Sequence, residues 1–85
     1  EKEYCISGEI NSTVADPKAK LQELAKRYAD GKIEWVDGIS ATYPTWHFNV
    51  RTSNTEPLMR LNLEGKSQAE MERRRDEVLG IIRAS

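Results

Sequence analysis

The chain holds one cysteine and one histidine in 85 residues. A single thiol cannot close an internal disulfide, and one Cys beside one His leaves no metal-ligand spacing, so no residue is assigned to a metal. Excess charge is missing too: 13 Lys and Arg stand against 14 Asp and Glu, a formal net charge of -1. That balance removes the electrostatic ground for nonspecific nucleic-acid or membrane-surface binding and points to a small ligand. No apolar run reaches the ~18 residues of a membrane span, and no signal-peptide core opens the chain. Cysteine usage and the lack of such segments predict a cytoplasmic protein, in which the sequon Asn11-Ser12-Thr13 is incidental. Residues 1–85 are read as one domain that buries roughly 60 to 65% of its unfolded surface, a modest core. The sequence enters a strand pattern almost at once, which suggests a piece of a longer protein.

What is present is regular patterning. Tyr4, Ile6 and Ile10 alternate with Cys5, Ser7 and Glu9, the period of a half-buried strand whose first set meets the core, although Gly8 weakens its middle. Asp16-Pro17 supplies a cap and a first-turn proline, and Leu21, Leu24, Ala25 and Tyr28 follow at helical spacing, predicting a helix over about 17–30. Asp37-Gly38 between two short apolar runs predicts a two-residue hairpin. Trp46, Phe48, Val50 and then Met59, Leu61, Leu63 put apolar side chains on one sheet face, with His47, Asn49, Arg51 and Arg60, Asn62, Glu64 on the other. Ser67 to Glu70 reads as a capping box opening a last helix with Met71, Val78, Leu79 and Ile82 as its stripe. The expected fold is α+β: strand, helix, four strands, helix, a mainly antiparallel sheet with both helices on one face.

Chemistry concentrates between the last two strands. Arg51-Thr52-Ser53-Asn54-Thr55-Glu56-Pro57 joins a guanidinium to hydroxyls, a carboxamide and a turn-ending proline. A phosphate dianion asks for converging donors and positive charge. Arg51 can offer a fork, Ser53 and Thr55 hydroxyls, and the amides of Ser53, Asn54 and Thr55 a nest, with Asn54 tolerating a left-handed backbone. The plainer reading is an ordinary turn, with Arg51 pairing to Glu56. For a phosphate loop Glu56 must point away, toward Arg60.

Other candidates read as structural. His47 lies in an alternating strand without a nucleophile or acid at a telling spacing, and is taken as a surface or interface residue. Cys5 has no neighbouring base to activate it. Arg73-Arg74-Arg75 fan out around a helix among acids and read as a solvated face with intrahelical pairs. Trp35 and Trp46 read as core, with sugar stacking as the alternative.

The string RTSNTEPLMRLNLEG, from Arg51 to Gly65, resembles the phosphate-binding loop and following strand in the C-terminal domain of the alpha-D-phosphohexomutases, phosphomannomutases above all. The preceding VDGISATYPTWHFNVR, from Val36 to Arg51, is similar to the phosphomannomutase form of that domain, and Asn54 matches the mannose and glucose branch. The resemblance implies a TATA-binding-protein-like fold, which by itself licenses no DNA-binding role. It also implies that Arg51, Ser53, Asn54 and Thr55 contact a substrate phosphate. The family interconverts hexose 6-phosphate and 1-phosphate through a bisphosphorylated sugar, with a phosphoserine and magnesium that lie in other domains. On that reading the chain carries no catalytic residue and binds no cofactor itself. Magnesium is expected in the full-length enzyme, mannose or glucose 1- and 6-phosphates and the enzyme's other domains are the partners, and the piece alone is inactive. The alternative is a freestanding small-ligand or protein-binding module that uses the open sheet face.

Overall fold

Alternating apolar residues on two long strands, β5 (Trp46–Thr52) and β6 (Leu58–Gly65), build the centre of the molecule. A computed structural model describes residues 4–35, 37–53 and 55–84. The strands pair antiparallel from Trp46 opposite Gly65 to Thr52 opposite Met59, and their Trp46, Phe48, Val50, Met59, Leu61 and Leu63 side chains are buried. On one flank β5 takes β4 (Ile39–Thr42), which carries β3 (Lys32–Glu34) at the edge. On the other flank β6 takes β1 (Cys5–Ile6) and β2 (Ile10–Thr13), so every pairing is antiparallel.

Two helices cover the apolar face. In α1 (Pro17–Arg27) the Asp16 carboxylate accepts from the Ala19 amide at 3.2 Å, and Leu21 and Leu24 point into the core with Tyr28 behind them. Tyr28 is already the C-cap, so the helix stops short of the predicted residue 30. In α2 (Gln68–Arg83) the Ser67 hydroxyl accepts from the Glu70 amide at 3.1 Å. The Glu70 carboxylate turns to Arg73 and Arg74, so the box forms only in part. Met71, Val78 and Ile82 are buried as expected, joined by Ile81, while Leu79 is half-buried. Among the described residues no helix is long and apolar enough to cross a membrane. The α+β architecture is thus the expected one, with the opposite sheet face open.

Three local expectations are corrected. The first strand is broken: Ile6 is opposite Glu64 but Ile10 is opposite Leu61, so one extra residue is accommodated around Gly8, whose φ is 78°. Such a bulge reverses the in-out phase. Cys5 therefore packs against the core, while Tyr4 and Ile6, read as core, are 46% and 63% exposed on the open face. The Asp37-Gly38 hairpin is not a two-residue turn, because Glu34 opposite Ser40 is the last pair formed with β3. Val36 of that turn lies outside the described residues. Trp46 is core, but Trp35, just past the short edge strand β3, is 52% exposed.

Candidate functional site

The β5–β6 connection is short because its two strands are neighbours, and its ends are tied by backbone. Ser53 N–H donates to Leu58 O at 3.2 Å, Leu58 N–H to Glu56 O at 2.8 Å, and Val14 N–H to Pro57 O at 2.8 Å. The last bond fastens the loop to the β2–α1 connection. Within the loop the Thr55 amide donates to Ser53 Oγ at 3.2 Å, and the two hydroxyls lie 3.4 Å apart. This side-chain turn brings the Ser53 and Thr55 hydroxyls to one point. Of the amides expected to form a nest, that of Thr55 is engaged by Ser53 Oγ and that of Ser53 by Leu58 O. Asn54 lies outside the described residues.

Thr52, Ser53 and Thr55 line a cleft of about 450 Å³ with Glu56, Pro57 and the start of α1, Asp16 to Lys18. Arg51 is exposed at the root of the loop and lines a neighbouring cleft with Asp37, Gly38 and Thr52. Arg51, Ser53 and Thr55 therefore share one end of the sheet, with Thr52 lining both clefts. Glu56 is exposed, and Arg60, expected to receive it, instead meets Glu9 at 3.7 Å across the β2 edge.

The open face holds a pair that spacing along the chain does not show. His47 and Glu64 are opposite in the β5–β6 register, 3.6 Å apart between Nε2 and Oε1, with the Tyr4 ring centroid 6.4 Å from the imidazole. An acid seventeen positions away in sequence becomes a neighbour only through strand register, about two strands' worth of chain. The pair is an imidazole–carboxylate contact on a partly exposed sheet face. Among the described residues no group of three or more His, Cys, Asp or Glu could hold a metal ion.

The chain matches the family model described as phosphoglucomutase/phosphomannomutase, C-terminal domain, over residues 9–81. It is 41% identical over 96% of its length to a protein named phosphohexose mutases from Xanthomonas campestris pv. campestris, covering 19% of that protein. It is 42% identical over 93% of its length to a phosphomannomutase of Methanocaldococcus jannaschii, covering 18% of it. A phosphomannomutase of Escherichia coli is 40% identical over 94% of this chain and is covered over 18% of its own length. A crystal structure of a phosphoglucomutase/phosphomannomutase family protein from Burkholderia thailandensis superposes with a TM-score of 0.69 at 27% identity, over 93% of this chain and 17% of that one. The chain thus spans about a fifth of the length of the curated relatives it matches. With the family model, the curated relatives and the matching fold in agreement, the chain belongs to the phosphoglucomutase/phosphomannomutase family, in the part described as its C-terminal domain.

Proposed function

We propose that the chain is the substrate-phosphate-binding domain of a larger phosphomannomutase/phosphoglucomutase that interconverts hexose 6-phosphate and hexose 1-phosphate in the cytoplasm through a bisphosphorylated intermediate. The observation that carries this reading is the convergence of the Ser53 and Thr55 hydroxyls, 3.4 Å apart, beside the exposed Arg51 at the root of the same loop. Hydroxyls donate to phosphate oxygens, and a guanidinium adds a charge-assisted fork. Asn54, between the two hydroxyl residues in sequence, is the fourth contact of this reading.

The domain's work is positioning. Gripping the phosphate that does not react holds the other end of the sugar in line with the nucleophile of a neighbouring domain, and prepaid orientation of this kind is worth several kcal/mol. Magnesium, when bound elsewhere in the enzyme, supplies charge neutralisation for phosphoryl transfer. The residues here bind and orient, and the piece alone is inactive.

The test is a proton-nitrogen correlation titration of the 85-residue chain with mannose 6-phosphate, with plain mannose and sulfate as controls. Saturable, phosphate-dependent shifts of the Ser53 to Glu56 amides and the Arg51 side chain are expected, near a millimolar Kd, about -4 kcal/mol. A silent loop in both this chain and the full-length enzyme would leave the connection as a turn and favour an interaction module.

A further inference from the structure

Arg51 sits in an unsymmetrical field. Across the β5–β6 ladder it is directly opposite Arg60, and like charges in that position repel. Arg60 itself meets Glu9 on the far side, at 3.7 Å, and not Arg51. On the other flank, the register that pairs Ile39 with Val50 brings Gly38 alongside Arg51. Gly38 has φ 121°, and a Cβ there would collide with the Val50 carbonyl oxygen and lie 3.0 Å from the Arg51 Cα. The β3–β4 turn therefore lies directly on the backbone that carries Arg51, with no side chain between.

Asp37 comes next in that turn. Its φ of 52° makes it the one non-glycine residue with positive φ among the described residues. Aspartate tolerates that region better than most side chains, yet the conformation still carries strain, and strain of this kind gathers at functional positions. Asp37, Gly38, Arg51 and Thr52 line one cleft of about 320 Å³, which brings an acidic and a basic residue to the same space.

We propose that Asp37 sets the phosphate affinity of the loop by competing with the anion for Arg51: Arg60 pushes the guanidinium away from one side, and Asp37 attracts it from the other through the gap left by Gly38. An arriving phosphate must draw the fork out of that field. The competitor keeps the grip weak enough for a sugar phosphate to leave. This inference rests on the proposed phosphate-binding role of Arg51, and it assigns a function to the β3–β4 turn that lies outside the loop.

The experiment measures binding of mannose 6-phosphate and inorganic phosphate to the 85-residue chain by the same titration, in Asp37→Asn, Arg51→Ala and the double variant. Glu34→Gln is the control, a carboxylate on the edge strand that does not line the cleft. Asp37→Asn is expected to tighten binding about 2- to 5-fold, the range of one exposed charge pair. Glu34→Gln should change it little, and in the Arg51→Ala background Asp37→Asn should have no effect. Unchanged or weaker binding in Asp37→Asn, an equal gain in Glu34→Gln, or a gain that persists without Arg51 would each overturn the competition. If Arg51→Ala itself leaves binding intact, the phosphate-site reading falls first, and the inference with it. A null result for Asp37→Asn beside a clear Arg51→Ala loss removes the inference alone.

Discussion

Tyr28 donates its phenolic hydrogen to Glu77 Oε2 at 2.6 Å, tying the end of α1 to the middle of α2 over the Trp46 end of the sheet. Around this bond the end of the molecule is clamped. Tyr43 stacks on Trp46 with centroids 4.8 Å apart and donates to Asp30 Oδ1 at 2.5 Å. The Arg74 guanidinium lies 4.7 Å over the Trp46 ring and is held by Glu70 and Glu77, both at 3.2 Å. Arg74 and then Arg73 keep the Glu70 carboxyl below its ordinary range. The Tyr28 and Tyr43 hydroxyls and the Arg74 guanidinium all have partners, so the cluster reads as a structural clasp and not as a second ligand site.

The clasp predicts sensitivity to alkali. Burial first, and then the hydrogen bonds to Glu77 and Asp30, push the Tyr28 and Tyr43 phenols well above their ordinary value of 10.0. The folded state therefore favours the neutral phenols. Their contribution is complete below the unfolded value and is lost as pH rises from there toward the raised folded values. The urea midpoint should be level from about pH 7 to about pH 9 and fall above about pH 10, and Tyr43→Phe should make that fall shallower. Phenolate absorbance of the folded chain that titrates entirely at the ordinary value would contradict this.

How much of this was legible in the sequence depends on range. Strand alternation in Trp46 to Val50 and Met59 to Leu63, and the caps Asp16 and Ser67, are local signals, and they give the right layers and helix starts. Tyr4 and Ile6 were misplaced because the alternation is periodic only until a bulge, and a lone glycine states that a bulge is possible without fixing its phase. Trp35 was misplaced because a three-residue edge strand offers no second layer to cover it. The Arg74–Trp46 contact and the His47–Glu64 pair arise from packing and register between distant segments, which no spacing reveals. In the loop, composition announced hydroxyls and a cation, but the use of Ser53 Oγ by the Thr55 amide is a detail of turn geometry.

Gly8 gives a stability test of the bulge. Its φ is 78°, and a Cβ built on it meets nothing within 4 Å. Gly8→Ala should therefore cost only the left-handed backbone penalty, about 1 to 2 kcal/mol, and Gly8→Asn less. Urea unfolding of both variants checks the order. A loss well above that range would mean steric crowding that the geometry does not contain.

Lys20 predicts a different kind of loss. Its ammonium donates to the carbonyls of Ile81 at 2.9 Å and Ala84 at 3.1 Å, at the C-terminal end of α2, and to Glu23 at 2.8 Å. A cation at the last carbonyls of a helix, here Ala84 O and an Ile81 O that also accepts from the Ala84 amide, adds a donor there and interacts favourably with the negative end of the helix dipole. Lys20→Met should destabilise by about 1 to 2 kcal/mol. Glu23→Gln, which removes only an exposed intrahelical partner, should cost less than about 0.5 kcal/mol. Equal losses in the two variants would place the value of Lys20 in the surface pair instead of the α2 terminus.

Arg51→Lys separates charge from shape at the proposed site. Lysine keeps the positive charge but loses the planar fork, and an exposed position imposes no packing penalty that would confuse the comparison. If Arg51 engages phosphate through paired N–H donors, the variant should bind mannose 6-phosphate about 10-fold more weakly, with the urea midpoint unchanged. If the proposed anchoring of one phosphate aligns the other end of the sugar, the same change in the intact enzyme should lower kcat/KM for sugar phosphate by a similar factor. Unchanged binding in the lysine variant, with a loss in Arg51→Ala, would reduce Arg51 to a point charge. The hydroxyls of Ser53 and Thr55 would then have to supply the direction of the grip.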